Sequence, residues 1–311
     1  MRKKIILLYE SEKGKAVCDM ASAVLSQIAV AFEHAFFMPM YKCRGAVIPD
    51  DIMDQCSDAD AVLAGDSDMI ALPVLADELI CTSRIRELRY AFLIDNQSLM
   101  GTDRILDAVV VQALSGQADS LRAAASQAYT LSAKYNMPVS QVPPSGRLAE
   151  DWQKAVDAAD SISAPFHARE LLLPQAVPDM IYRPSRIGVV LCPPYAGNIL
   201  AEAAAALCGA PGMCYDAYTG GQCGLYSPLK QPGDFTDPFG LLRALCRLLQ
   251  ELRMEQETAC LEAAVRNVLQ EGWRTDDILS DGCRKTDAGY IIELVDNQVA
   301  VAGEWISRQK K

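Results

Sequence analysis

Residues 260–278, CLEAAVRNVLQEGWRTDDI, carry the pattern that decides the fold. Apolar side chains recur there at the three- and four-residue spacing of one helix face: Leu261, Ala264, Val265, Val268 and Leu269. Gly272 follows this run, and glycine is a common residue just beyond a helix end. The segment therefore predicts an amphipathic helix that runs into a turn carrying Arg274, Thr275 and two aspartates.

Outward from this helix, short apolar runs alternate with amphipathic stretches. A second leucine-rich helix face precedes it within residues 241–249, and further helices are predicted from Val17 onward, over 121–135 and over 199–207. The runs that favour strands are 4–8, 60–64, 90–94, 106–111, 186–192 and 290–295. Strands and helices that alternate in this way predict an α/β protein with mainly parallel sheets covered by helices.

Composition and charge favour a folded globular protein and argue against nucleic-acid-binding and membrane proteins. The chain has 311 residues, of which 50% are hydrophobic and 22% are charged, so it is long enough for two folded domains. Its net charge of −11 argues against binding nucleic acid through bulk charge. No apolar run reaches the roughly 20 residues of a membrane span, and Glu10 and Glu12 interrupt the run after the first strand. We therefore expect no membrane partner and a cytoplasmic location.

The cysteines and histidines give no catalytic pattern. None of the eleven cysteines forms a C-x-x-C pair, and the spacing of Cys208, Cys214 and Cys223 fits no zinc template. Most lie in apolar runs, which predicts buried, reduced thiols. The two histidines, His34 and His167, belong to no visible triad, so a Cys–His or Ser–His mechanism is not expected.

Four blocks of sequence, taken in order, point to one family. They are residues 60–65 (DAVLAG), 197–202 (GNILAE) with 207–213 (LCGAPGM), 224–228 (GLYSP), and the segment 260–278 quoted above. Together they resemble the isopropylmalate/isocitrate dehydrogenase family, in which similar blocks occur in the same order. The likeness extends over nearly the whole chain and is thinnest between residues 117 and 185.

The resemblance implies an architecture and an assembly. It implies an α/β, isopropylmalate dehydrogenase-like fold of two domains, with mixed, mainly parallel sheets covered by helices and an interdomain cleft. Residues 1–96 and 211–311 would form a discontinuous domain on the ancestral cofactor side, and residues 97–210 a middle domain on the substrate and dimer side. The alanine-rich helix 199–207 lies at a two-fold interface in the family, so a homodimer is expected.

The family oxidises 2-hydroxy acids with NAD(P) and Mg²⁺ or Mn²⁺ and then decarboxylates them. By resemblance, its metal-binding aspartates fall on Asn198 and Glu202, which the i, i+4 spacing places on one helix face. Hard cations need carboxylate oxygens, and an amide carries no charge. Asn198 could equally cap its helix, and Glu202 could be a helix-face carboxylate at a subunit contact.

The substrate arginines are also largely replaced. One family position falls on Gln112 and another near residues 94–95, where no arginine occurs, while Arg84 or Arg86 could retain an earlier one. Arginine matters because its planar fork binds both oxygens of a carboxylate. The alternative is that Arg84 and Arg86 are ordinary solvated residues. The catalytic tyrosine segment is missing, and no lysine lies between Lys134 and Lys154, where the family's catalytic lysine would fall.

The segments that bind the cofactor in the family are also replaced or shortened. Of the family's opening glycine-rich loop only Gly14 remains, and the adenosine loop shrinks to residues 230–235. Asp234 in that loop and Asp237 after it are the remaining candidates for cofactor contacts, although Asp237 before Pro238 also suits a turn.

Two hypotheses follow. The first is a relative that has lost NAD-dependent oxidative decarboxylation. It would bind either a small molecule in the interdomain cleft or a partner. The alternative is an active NAD(P)- and metal-dependent oxidoreductase that acts on another 2-hydroxy acid.

Overall fold

The computed structural model describes residues 1–45, 47–66, 68–69, 71–89, 106–162, 168–229 and 238–309. Its strands are β1 (Arg2–Tyr9), β2 (Ala35–Phe37), β3 (Met40–Lys42), β4 (Ala61–Ala64), β5 (Ser83–Glu87), β6 (Ala108–Ala113), β7 (Val139–Gln141), β8 (Arg169–Glu170), β9 (Gly188–Cys192), β10 (Tyr215–Thr219), β11 (Gly224–Pro228), β12 (Trp273–Arg274) and β13 (Arg284–Lys285). Its helices are α1 (Glu12–Phe32), α2 (Asp50–Ser57), α3 (Leu72–Glu78), α4 (Ala118–Tyr135), α5 (Ala149–Ile162), α6 (Leu173–Tyr182), α7 (Pro194–Cys208), α8 (Pro238–Glu251), α9 (Glu255–Gln270) and α10 (Ala288–Gln309). The predicted α/β class, with mainly parallel strands and covering helices, is confirmed.

The chain divides into two compact units. Unit one contains residues 1–79, 212–217 and 222–311, and unit two contains residues 80–211 and 218–221. The sequence suggested a first boundary between residues 96 and 97. In this division β5 instead belongs to unit two, because it pairs with β6 along its whole length.

Unit one is built on parallel strands in the order β2, β1, β4 and β11, and β3 pairs with the far half of β1. The centre of β1, from Ile5 to Leu8, is fully buried. Such a continuous apolar run is what a parallel strand covered on both faces requires. Helices α1, α8, α9 and α10 pack with one another in this unit.

Unit two has a mixed sheet in the order β5, β6, β9, β7 and β8. β5 is antiparallel to β6, and the remaining pairs are parallel. Helices α4 and α7 both pack on β6 and β9. Tyr135 of α4 donates a hydrogen bond to Glu87 of β5, whereas Arg84 and Arg86 of the same strand reach α7. The two helices therefore cover opposite faces, because alternate side chains of a strand point to opposite faces.

One predicted strand is wrong. Residues 290–295 lie inside α10, although Tyr290 to Val295 is rich in apolar and β-branched residues. The buried positions Ile291, Ile292, Val295 and Val299 continue at helical spacing past the predicted end. The predicted strand at 90–94 lies outside the described residues.

Helix α1 is long and apolar enough to cross a membrane by length and composition alone. In the structure it packs on β1 and on α10, and its buried side chains form one stripe that includes Val17, Ala21, Val24 and Ile28. That packing is typical of a helix in the core of a folded α/β unit, so its length is weak evidence for a membrane span.

The cysteines match the expected pattern of buried thiols. Nine of the eleven are buried, Cys260 and Cys283 are half-buried, and none forms a disulfide bond. Burial raises the pKa of Cys18 and of Cys56 to about 12. Thiols in such surroundings stay protonated at neutral pH and are poor nucleophiles.

Asp296 of α10 provides a test of the energetics of unit one. Burial raises the pKa of its carboxyl to about 6, and its Oδ1 has no hydrogen-bond partner among the described residues. The folded state therefore holds the proton more tightly than the unfolded state. The free energy of unfolding must fall as the pH rises from about 4 to about 6.

We expect Asp296→Asn to stabilise the protein by about 1–2 kcal/mol at pH 7.5, where the buried carboxylate is charged, and to change little at pH 4. Guanidinium titrations at the two pH values measure this difference. Glu293→Gln, at an exposed position of the same helix, is the control and should have little effect at either pH. An equal effect of Asp296→Asn at both pH values would contradict the burial argument.

Candidate functional site

Five residues singled out from the sequence meet on one face of unit two. Arg84 and Arg86 lie on β5, Gln112 lies on β6, and Asn198 and Glu202 lie on α7. The antiparallel register places Arg84 opposite Gln112, and alternation along β5 places Arg86 on the same face. The i, i+4 spacing brings Glu202 to the side of α7 that Asn198 occupies. We call these five residues the α7 network.

Asn198 is the hub of the α7 network. Its Oδ1 accepts a hydrogen bond from Nη2 of Arg84 at 3.2 Å and another from Nε2 of Gln112 at 3.0 Å. The same Gln112 nitrogen donates to the carbonyl oxygen of Pro194 at 2.7 Å. A carbonyl-type oxygen has two lone pairs, so both acceptor positions of Asn198 Oδ1 are used within the protein.

Asn198 is not a helix cap. Helix α7 begins at Pro194, and its N-cap residue is Pro193. Asn198 therefore lies in the second turn of α7. A capping side chain precedes the helix and accepts hydrogen bonds from the amides of the first turn, which Asn198 follows in the chain. The alternative reading of Asn198 as a cap is wrong.

Glu202 and Arg86 form the second half of the network. Nη1 of Arg86 lies 2.7 Å from Oε1 of Glu202. The Arg86 side chain is 4% exposed and that of Glu202 is 69% exposed. The interpretation of Arg86 as a solvated residue is therefore wrong, because its guanidinium is buried beside the sheet while the carboxylate reaches it from the helix surface.

Close packing holds Gln112 in place. A Cβ atom on Gly197 would lie 2.4 Å from Cγ of Gln112, so only glycine allows α7 to approach β6 this closely. Gln112 is buried, and its Oε1 has no hydrogen-bond partner in the described part of the chain. Cys192 lies opposite Gln112 in the β6–β9 register. Burial raises the pKa of the Cys192 thiol far above its usual value despite nearby Arg84, so this cysteine is not a nucleophile.

These residues do not fit a divalent cation of the kind that the family resemblance implies. A hard cation needs several oxygen ligands with free lone pairs and negative charge. Asn198 is neutral and its oxygen already accepts two hydrogen bonds, while Glu202 shares its charge with Arg86. The residues that the structure describes contain no group of three or more His, Cys, Asp or Glu side chains able to hold a metal.

Gly14, the first predicted cofactor residue, lies in unit one at the start of α1. Its amide donates to Oγ of Ser11, the N-cap residue, at 2.9 Å. Asp66 fills the adjoining space: its Oδ2 accepts from the amides of Glu10 at 2.7 Å and Ser11 at 3.2 Å. The Ser11 hydroxyl donates to the other carboxylate oxygen.

This arrangement does not fit a cofactor phosphate beside Gly14. A Cβ atom at Gly14 would lie 1.8 Å from Oδ2 of Asp66, so the carboxylate presses against the glycine. The amides of Glu10 and Ser11, just before the helix, thus donate to the protein's own carboxylate, and the amide of Gly14 donates to the Ser11 hydroxyl. A phosphate placed there would meet a second negative charge. Asp234 and Asp237, the other two cofactor candidates, lie outside the described residues, as do residues 94–95.

Sequence reasoning missed Asp66. The available signal was its place directly after Gly65, at the carboxyl end of β4. Because β4 is parallel to β1, that end lies beside the start of the β1–α1 turn, where Leu8 pairs with Ala64. A polar residue at such a position commonly serves a site in α/β proteins.

Comparisons with known proteins identify the relatives of this chain. A family model described as isocitrate/isopropylmalate dehydrogenase matches residues 144–295. The 3-isopropylmalate dehydrogenase of Helicobacter hepaticus is 23% identical over 339 aligned positions, which cover 91% of this chain and 95% of that protein. The 3-isopropylmalate dehydrogenase of Parasynechococcus marenigrum is 29% identical over 144 positions, which cover 44% of this chain and 40% of that one.

A solved structure shows the same fold. The isocitrate dehydrogenase of Methylococcus capsulatus superposes with a TM-score of 0.78 at 15% identity, covering 96% of this chain and 99% of that one. The family model, a relative aligned along nearly the whole chain and the fold agree with the ordered blocks found in the sequence. The chain is therefore similar in sequence and in fold to the isocitrate/isopropylmalate dehydrogenase family.

Proposed function

We propose that this protein is a member of the family that has lost NAD-dependent oxidative decarboxylation and binds a small molecule without a metal ion. One observation carries the proposal: Asn198 and Glu202, at the family's metal-binding positions, are committed to Arg84, Gln112 and Arg86. A hydrogen-bonded amide and an ion-paired carboxylate replace the pair of free carboxylates that the reaction needs.

The chemistry of the reaction supports this proposal. Oxidation of a 2-hydroxy acid develops negative charge on oxygen, and a cation must stabilise that charge. Gln112 replaces a substrate arginine, and no lysine lies between Lys134 and Lys154 to move a proton. Removal of a single preorganised electrostatic group commonly costs about 10²–10³ in rate. Several such losses, even if they are not additive, would leave no measurable turnover.

Arg84 supports a remaining binding role. Its side chain is half-buried, and among the described residues it donates one hydrogen bond, to Asn198, with no carboxylate at ion-pair distance. A guanidinium has five N–H donors, so most of this group is available to an incoming ligand. A planar carboxylate is the natural partner of such a fork. We therefore propose a carboxylate-bearing small molecule as the ligand.

We expect no NAD(P)H formation from isopropylmalate, isocitrate, malate or tartrate with Mg²⁺ or Mn²⁺. Asn198→Asp alone should not restore activity, because the proton-transfer groups would still be missing. Absorbance of reduced nicotinamide at high enzyme concentration measures this, with a 3-isopropylmalate dehydrogenase as positive control. A steady rise that depends on enzyme and metal would overturn the proposal and favour the active oxidoreductase.

We also propose a homodimer formed through the exposed side of α7. Ala201, Ala204 and Ala205 of this helix are buried in the single chain, so that side of α7 is already covered. The opposite side leaves Tyr195 75% exposed and Ile199 41% exposed. Large exposed apolar groups of this kind commonly mark association surfaces.

Light scattering at micromolar concentration should give twice the chain mass, and Ile199→Arg should give the monomer mass, because a buried, unpaired charge opposes association. Val30→Arg, at an apolar position 75% exposed on α1 of unit one, is the matched control and should leave the dimer intact. A monomeric parent protein would refute this assembly without bearing on the loss of activity.

A further inference from the structure

Unit one has a cavity lined by basic and aromatic residues that play no part in the proposed function. It has a volume of about 350 Å³ and lies where β1 pairs with the edge strand β2. Its lining residues come from the two strands and from the start of β4: Arg2, Lys3, Lys4, Ala35, Phe36, Phe37 and Asp60. Three of the lining residues are basic, one is acidic and two are phenylalanines, on a chain whose net charge is −11.

The strand register places three of these side chains together. Arg2 pairs with Ala35 and Lys4 pairs with Phe37 in a parallel arrangement. Side chains two apart on a strand share a face, and paired residues of parallel strands point the same way. Arg2, Lys4 and Phe37 therefore project from one face, with the two cations about 7 Å apart along β1.

Charge in the cavity is only partly neutralised. Asp60 Oδ1 lies 2.8 Å from Nζ of Lys3, and Oδ2 accepts a hydrogen bond from the Lys4 amide at 2.8 Å. Partial burial alone would raise the pKa of Asp60, but the hydrogen bonds from Lys3 and from the Lys4 amide hold that pKa below its usual value. The carboxylate is therefore charged, and it neutralises the ammonium group of Lys3. Within the described residues, the side chains of Arg2 and Lys4 have no hydrogen bond or ion pair.

Phe37 completes the set. Its side chain is 63% exposed, which leaves a large aromatic ring in water beside two unpaired cations. An aromatic ring offers a stacking surface to another planar ring. Two neighbouring cations match a doubly charged anion better than a singly charged one, and a phosphate monoester carries nearly two charges at neutral pH.

We infer that this cavity binds an aromatic phosphate monoester of the size of a nucleoside monophosphate, with the phosphate at Arg2 and Lys4 and the ring on Phe37. The cavity is open to solvent, so the ligand would lie against the strands with one side exposed. The cavity lies entirely in unit one and shares no residue with the α7 network. Its test is therefore independent of the function proposed above.

Isothermal titration of the full chain with AMP, ribose 5-phosphate and inorganic phosphate tests the inference. Any purification tag should follow the C-terminal end, because Arg2 and Lys4 line the cavity. We expect AMP to bind at one site and ribose 5-phosphate to bind about tenfold more weakly, since it lacks the ring. Raising the salt concentration should weaken both, as expected for phosphate held by side-chain cations.

Variants locate the binding. The double variant Arg2→Gln/Lys4→Gln should weaken AMP at least tenfold, and Phe37→Ala should weaken AMP about tenfold while leaving ribose 5-phosphate unchanged. Lys15→Gln, an exposed lysine of α1 that pairs with Asp19, should change neither ligand. Thermal unfolding would verify that each variant is folded. Undetectable AMP binding at millimolar concentration, equal binding of AMP and phosphate, or binding insensitive to these variants would each overturn the inference.

Discussion

Replacing Asp66 with alanine is expected to lower the free energy of unfolding by about 3 kcal/mol. The carboxylate accepts hydrogen bonds from two backbone amides and the Ser11 hydroxyl, and bonds to a charged group are each worth about 1.5–3 kcal/mol. The site is partly exposed, so water replaces part of the loss and the three contributions do not add fully. Denaturation by guanidinium, followed by circular dichroism, measures the change.

Asp19→Ala is the matched control for this experiment. Asp19 is also a carboxylate near the start of the chain, but it makes only an exposed i, i+4 pair with Lys15. Such pairs contribute about 0.3–0.5 kcal/mol, so Asp19→Ala should change the free energy of unfolding very little. A loss below 1 kcal/mol for Asp66→Ala would mean that the β1–α1 turn does not depend on its internal carboxylate.

Gly197→Val is expected to cost about 3 kcal/mol and to disrupt the α7 network. Its Cβ would lie 2.4 Å from Cγ and 2.7 Å from Cβ of Gln112, and the latter atom is fixed by strand β6. Helix α7 must therefore move outward, which separates Asn198 from Gln112 and Arg84. Overpacking of this kind commonly costs about 1–3 kcal/mol, with Gly197→Ala at the lower end of that range.

Helix propensity would predict the opposite result, because valine is a better helix residue than glycine. Ser126→Val, at an exposed position of α4 in the same unit, is the control for placing a valine on a helix surface and should change stability by less than about 0.5 kcal/mol. A Gly197→Val variant as stable as the parent protein would show that α7 does not approach β6 closely.

The strands and helices whose apolar spacing is local were predictable from the sequence. The runs at 4–8, 60–64 and 186–192 became β1, β4 and β9, and the helix over 121–135 became α4. Strand β5 could not be found in this way, because Arg84, Arg86 and Glu87 give it too much charge for a buried strand. Its burial depends on partners far along the chain, such as Glu202 and Tyr135.

The candidate site was predictable in part. Spacing on α7 placed Asn198 and Glu202 together, but it could not show that Asn198 accepts from both Arg84 and Gln112. Those contacts depend on the antiparallel β5–β6 register and on the close approach at Gly197. The pairing of Asp66 with the β1–α1 turn likewise depends on which strands are neighbours, and local sequence patterns do not encode that order.

The division of the chain has a consequence for its synthesis on the ribosome. Unit two consists almost wholly of residues 80–211, a continuous stretch that is complete before most of unit one has been made. Strand β4 lies between β1 and β11 in its sheet, yet β11 is translated more than 150 residues after β4. Folding of domains generally follows the order of synthesis. The first 79 residues therefore lack the strand that pairs with one edge of β4 until residues 224–228 have been made.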